Sequence, residues 1–191
     1  MPKIVDHDRY RKELLSKCFD LFAEKGYGSV TMRQIAQELR VSTGTLYHYF
    51  PNKKVLFEQL IEQMAERDVN MGLAILDKKQ SIQEKMAGLG EYLIQNEEYF
   101  INWTHLMIDF YKHQDDQETY PSETIERAND RYQAAIYQLL GVEDPVLALF
   151  IYTFFDGLVL ERLWKCDRVS ITEQCTLLGK MLTAYLEKNK H

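Results

Sequence analysis

No stretch of this 191-residue chain approaches the 18 or so apolar residues that a membrane-spanning helix requires. The amino terminus is charged from Lys3 onward and carries no apolar run of signal-peptide length, so the expectation is a cytoplasmic protein with no membrane partner. Cysteine is scarce too. Cys18, Cys166 and Cys175 are an odd number with no C-x-x-C pair, which favours reduced thiols used as small hydrophobes over disulfides or a metal site. There is no nucleophile elbow and no phosphate loop, and His105 with Asp109, four apart on one helical face, lacks a third ligand at matching spacing. These absences argue against an enzyme and for no metal and no cofactor. No segment reads as a strand, and there is no internal repeat and no low-complexity tract. An all-α chain is left.

What the chain does hold is an ordinary globular composition, 46% hydrophobic and 27% charged, enough to bury a core. The net charge of −6 argues by itself against nucleic acid, but it is unevenly distributed. Residues 1–54 hold ten Lys and Arg against six Asp and Glu, a net of +4, and the remainder carries −10. A basic head would be drawn to a phosphate backbone while an acidic body stays away from it.

Residues 30–54, VTMRQIAQELRVSTGTLYHYFPNKK, say the most. Thr31 fits an N-cap with Gln34 as its capping-box partner, and Val30 and Ile35 fit a hydrophobic staple. Met32, Ile35, Ala36 and Leu39 form one apolar stripe. Ser42 repeats the device, with Val41 and Leu46 at the staple positions, so two helices begin within about a dozen residues, the spacing of a helix-turn-helix. Leu46 and Phe50 are the residues of the second helix available to bury, whereas Thr43, Gly44, Thr45, Tyr47 and His48 are small or hydrogen-bonding. Such a helix can offer its amino end to a major groove, where a threonine can pair with a base edge or touch a thymine methyl. Lys53 and Lys54 follow the cap Asn52. They set two positive charges against the helix macrodipole, an arrangement that an anion docked at the helix start would make favourable.

The run VTMRQIAQELRVSTGTLYHYFPNKKVLF resembles the DNA-binding region of TetR-family transcriptional regulators, with T-x-R-x-I-A, V-S-x-G-T-L-Y and F-x-N-K in order at the family's spacing; the likeness extends over roughly residues 8–60. The resemblance implies that Arg33, Thr43, Gly44, Thr45 and Tyr47 meet base edges or nearby sugar, with Thr31 beside them, and that His48, Tyr49 and Lys53 hold phosphates. Two positions depart from the family pattern. Arg40 stands where Gly is usual, so the turn either takes a non-Gly residue to positive φ or adopts another geometry. The order His48-Tyr49 reverses the commoner Tyr-His, which leaves open which of the two reaches a phosphate.

Periodicity places a first helix over residues 8–25, one long helix over 52–79, and helices over 81–95, 97–112, 123–140, 145–165 and 172–188, about nine in all with the two short ones. The polar, Pro-containing stretch 113–123 is the loop that separates two of them. The reading is a three-helix head, residues 1–54, joined by the long helix to an effector-binding and dimerisation body, residues 55–191. Residues 147–160 are apolar all round, so one face needs the body's own core and another a second copy. Phe150, Phe154 and Leu158, with Leu178, Leu182 and Tyr185 of the last helix, are the candidates for a four-helix interface between two protomers. Two heads about 34 Å apart would match successive major-groove faces of a palindromic double-stranded operator. Tyr99, Trp103, His105, Met107, Phe110, Tyr111 and Tyr132 could line a pocket for a small apolar or aromatic ligand, or could be plain core. The function expected is a homodimeric repressor released by a small molecule. Activation, or control by a protein partner with no small-molecule effector, stays as an alternative.

Overall fold

A computed structural model describes residues 6–76, 81–114, 122–165 and 168–189. The described residues form nine helices and no strand: α1 His7–Lys25, α2 Met32–Glu38, α3 Thr43–Tyr49, α4 Lys53–Leu76, α5 Ile82–Gln95, α6 Glu97–Lys112, α7 Glu123–Leu140, α8 Pro145–Leu163 and α9 Ile171–Lys188. The all-α expectation is met. Residues 77–79 of the long fourth helix, most of the loop over 113–123, and Cys166 lie outside the described residues.

The starts follow the local chemistry. Thr31 and Ser81 head complete capping boxes with Gln34 and Glu84, and Asp144 accepts from the backbone of Val146 and Leu147 with Pro145 in the first turn behind it. Asn52 caps α4 by accepting from Val55 at 2.8 Å. Gly26, at φ +79°, ends α1 through an N–H that returns to Phe22.

The end of α2 settles the question that Arg40 raised. Its φ is +56°, and the amide of Val41 reaches Ala36 while that of Arg40 reaches Gln37, the paired bonds of a Schellman motif. A Cβ in the left-handed region costs about 1–2 kcal/mol, part of which the greater freedom of an unfolded glycine gives back. Arg40→Gly is therefore expected to raise the unfolding free energy by about 0.5–1 kcal/mol in urea titration, with the slope of the transition unchanged.

The chain divides into two compact units. Within residues 1–66 and 105–128, the core is aromatic: Phe57 stacks on Phe110 at 4.4 Å, and the Tyr27 ring meets both edge-on at 4.9 Å. Leu14, Leu15, Cys18 and Phe22 of α1, Ile35 and Ala36 of α2 and Leu46 of α3 are buried in the same unit. The staple residue Val30 is buried with Ile35, as its position before the cap requires.

Within residues 67–104 and 129–191, α5 and α9 pack closely along each other. The approach depends on glycine, because a Cβ on Gly179 would stand 2.9 Å from the Gln83 backbone and one on Gly90 would stand 2.8 Å from the Cys175 sulfur. Leu76, Met86, Leu147, Ile151, Leu178 and Leu182 share one cluster, and Leu93, Leu158, Ile171 and Cys175 another. Cys18 and Cys175 are free and buried, and burial pushes their thiols up to about 12 and about 11. Neither is a thiolate near neutral pH, which fits the role of small hydrophobes.

Candidate functional site

The turn between α2 and α3 presents a compact outward surface. Ser42 accepts from the Thr45 amide at 2.9 Å and shares a 2.8 Å hydroxyl contact with the Thr45 side chain, which fixes the first turn of α3. Leu46 and Phe50 are fully buried beneath it. Thr31 and Arg33 at the start of α2, Thr43 and Gly44 at the start of α3, and Tyr47 and His48 one turn on are exposed, with Thr45 half-buried among them. A Cβ on Gly44 would touch only the Ser42 hydroxyl, at 3.7 Å, so the fold itself makes no demand for glycine there. What glycine does supply is a bare backbone at the amino end of an exposed helix.

Two of the residues expected at phosphates are engaged inside the unit. Tyr49 is buried, and its hydroxyl is 2.7 Å from His7 Nδ1, with Tyr10 packed on its ring. His48 is the member of that pair whose ring faces outward. Lys53 Nζ donates to the carbonyls of Tyr27 and Val30 at 2.8 and 2.9 Å and lies 4.3 Å from the centre of the Tyr27 ring. Burial pushes its pKa down, and the nearby Asp109 carboxylate opposes that. Lys53 thus clamps the loop that leads into α2. Lys53→Met keeps the stem but orphans two carbonyls, and should lower the unfolding free energy by about 1–2 kcal/mol in urea titration whatever it does to DNA binding.

From α6 the same loop receives a second hold. The Gly28 amide donates to Asp109 Oδ2 at 3.0 Å, and Asp109 is 3.4 Å from His113. The pairing of His105 with Asp109 weighed from spacing does not form: His105 is exposed and Asp109 belongs to Gly28 and His113. Among the described residues no group of His, Cys, Asp and Glu could hold a metal ion.

The other compact unit contains a cavity of about 230 Å³. Trp103 and Tyr132 line it, together with Phe100, Tyr92, Tyr152 and Phe155. Tyr99 stands in the same unit, with its hydroxyl 3.0 Å from both carboxylate oxygens of Asp68, while His105, Met107, Phe110 and Tyr111 belong to the first unit. The pocket residues read from aromatic content are therefore not brought together as one set. Asp68 lines the cavity as well, and sequence reasoning missed it. The signal was there: Ile61, Met64, Ala65 and Asp68 fall at i, i+3, i+4 and i+7, which puts a carboxylate on the buried stripe of α4. Burial raises its pKa to about 6, against hydrogen bonds from Tyr99 and Tyr132.

The six residues suggested for a dimer interface separate by burial. Leu158, Leu178 and Leu182 fill the protomer's own core, Phe154 is half-buried against it, and Phe150 and Tyr185 are exposed. Val146 and Leu149 join Phe150 on one exposed stripe of α8, with Leu177 and Met181 joining Tyr185 on α9.

Residues 14–60 match the signature described as bacterial regulatory proteins, tetR family. Over 79 residues the chain is 33% identical to the HTH-type transcriptional repressor KstR2 of Mycolicibacterium smegmatis, an alignment that spans 41% of this chain and 38% of that protein's length. The transcriptional regulator FadR of Bacillus subtilis, solved in complex with stearoyl-CoA, superposes with a TM-score of 0.68 at 16% identity, over 91% of this chain and 97% of that one. A transcriptional regulator from Saccharomonospora viridis, solved in complex with choline, gives 0.67 at 19% identity over 95% and 97%. The family signature thus lies over residues 14–60, and the shared fold extends over nearly the whole chain. Over residues 14–60 this chain is thus similar to the tetR family of bacterial regulatory proteins, and its all-helical fold is the one those solved regulators share.

Proposed function

We propose that the protein is a sequence-specific DNA-binding regulator of transcription, a homodimeric repressor that leaves a palindromic operator when a small molecule fills the cavity. The observation that carries this reading is the exposed amino end of α3. Thr43, a bare Gly44 and Thr45 are followed one turn later by an outward Tyr47 and His48, on a helix fixed from beneath by Leu46 and Phe50. Residues 1–54 act as the DNA-binding domain and 55–191 as the effector and dimerisation domain. In this arrangement Arg33, Thr43, Gly44, Thr45 and Tyr47 meet bases and sugar while Thr31 and His48 meet the backbone. Tyr49 and Lys53 support the reading surface from within.

The exposed apolar stripes of α8 and α9 support a two-fold contact between protomers, since isolated apolar side chains need no partner but rows of them invite one. Complexes of structural neighbours with stearoyl-CoA and with choline support a ligand in the body. The cavity favours that over control by a protein partner alone.

Two continuous helices offer a route for coupling. α4 carries the clamp Lys53 at its start and Asp68, Gly72 and Leu76 along the cavity, and α6 carries Phe100, Trp103 and Thr104 on the cavity and Asp109 on the Gly28 loop. A ligand that favours one arrangement of these helices by about 1–3 kcal/mol would weaken operator binding roughly 5- to 150-fold. The test is selection of duplexes from a random pool, then titration of the winner at several salt concentrations. An enriched sequence with two inverted half-sites, bound with an affinity that falls as salt rises, is the expected result. No enrichment at low ionic strength would overturn the proposal.

A further inference from the structure

We propose that the cavity takes an organic cation, a small quaternary or tertiary ammonium attached to an apolar or aromatic body. This rests on the reading of the cavity as a ligand site and adds the sign of the ligand's charge. Its neighbours in fold do not decide the matter, since one was solved with an anionic acyl thioester and another with a cation.

The lining decides it. Two carboxylates, Asp68 and Asp156, face the cavity, and no Lys, Arg or His is among its lining residues. Asp68 is 8% exposed, and what holds it is neutral: the hydroxyl of Tyr99 at 3.0 Å from each oxygen and that of Tyr132 at 3.2 Å. Phenols solvate a carboxylate without cancelling its charge. The groups that bear on Asp68 are Arg67 of α4, Tyr92 of α5, Tyr99 of α6 and Tyr132 of α7, and Asp156 of α8 lines the same cavity. Of these only Arg67 is cationic, and its exposed guanidinium lies over the Tyr99 ring at 4.9 Å. A buried carboxylate among apolar walls is poorly compensated until a cation arrives. The faces of Tyr92, Phe100, Trp103 and Tyr152 add the quadrupole attraction that suits an ammonium too weakly hydrated to prefer water. A fatty acyl carboxylate or a phosphate would meet like charge instead. At about 230 Å³ the cavity also falls below the roughly 300–1,000 Å³ of a drug-sized pocket, so the ligand is small.

Two probes of equal shape isolate the charge: benzyltrimethylammonium and its neutral carbon isostere neopentylbenzene. They are titrated into the full-length protein at pH 8 and followed by Trp fluorescence and calorimetry. The cation is expected to bind about 30-fold tighter, equivalent to roughly 2 kcal/mol. Asp68→Asn should remove at least about tenfold of that preference and leave the neutral probe within about threefold. Lowering the pH of the wild type from 8 to 5 should reduce cation binding alone, as Asp68 takes up its proton, and binding near pH 6 should release protons to the buffer. Asp156→Asn, and the pH series itself, keep the test open if Asp68→Asn fails to fold. Equal binding of both probes, or tighter binding of the neutral one, overturns the cation while leaving a ligand cavity in place. Binding of neither overturns the ligand reading with it. A cation preference that survives both Asn variants and the drop in pH also overturns the proposal.

Discussion

Gly44→Gln is expected to lower affinity for the selected duplex by about 100-fold or more while leaving the protein as stable as before, or slightly more so. A lost close approach at a groove removes base contacts worth about 1–3 kcal/mol each, and a glutamine side chain at the amino end of α3 would displace Thr43 and Thr45 together. Stability should move the other way. Glycine within a helix is about 0.5–1 kcal/mol worse than an ordinary residue, and the space around Gly44 is open apart from the Ser42 hydroxyl 3.7 Å from a built Cβ. Duplex titration and thermal unfolding on the same sample check both halves. A fall in the unfolding midpoint parallel to the loss of binding would mean that Gly44 serves the fold and not the groove.

Asp68→Asn is expected to stabilise the protein by about 1–3 kcal/mol at pH 8, and by progressively less as the pH falls. The sign follows from proton counting. The folded carboxyl titrates at about 6 against an ordinary value of 3.8, so between those values the folded chain holds a proton that the unfolded chain has released. Wild-type stability from this group is therefore greatest below about pH 4 and declines as pH rises through 6. At about 1.4 kcal/mol per unit, the two-unit shift sets the upper end of the gain. The amide must find a partner for its own N–H groups, which sets the lower end. Denaturant unfolding at pH 8, 6 and 4 should show the difference between variant and wild type shrinking toward zero. A difference that grows toward pH 4 would contradict the burial of an ionised Asp68.

Much of the head was legible because its signals are local. Thr31 with Gln34 and Ser42 with Thr45 are capping interactions within three residues, and the stripe of Met32, Ile35, Ala36 and Leu39 needs no knowledge of the rest of the chain. Arg40 was legible as a problem and not as a solution, since sequence alone cannot decide between positive φ and a different turn. Lys53 and Tyr49 show the limit. Both carry groups suited to a phosphate, but their partners are the carbonyls of Tyr27 and Val30 and the ring of His7, 23 to 42 residues away. Nothing in the local pattern announces such contacts. The aromatic residues of α6 misled in a related way. One helix serves two compact units, so Trp103 lines the cavity while Phe110, two turns on, belongs to the core around Phe57. The greasy α8 and α9 lie within one unit, and their apolar residues were recognised, but the split between Leu178 inside and Leu177 outside is set by the α5 packing that Gly179 permits.

The central claim is that the outward face of α3 lies on duplex DNA. Replacing Tyr47 with the photoreactive p-benzoylphenylalanine, irradiating with the selected duplex, and comparing the same substitution at the exposed Lys180 of α9 tests it most directly. Efficient crosslinking from position 47, confined to the half-site bases and absent from position 180, is the predicted result. A duplex that is bound but never captured from position 47, or is captured equally from position 180, would contradict it.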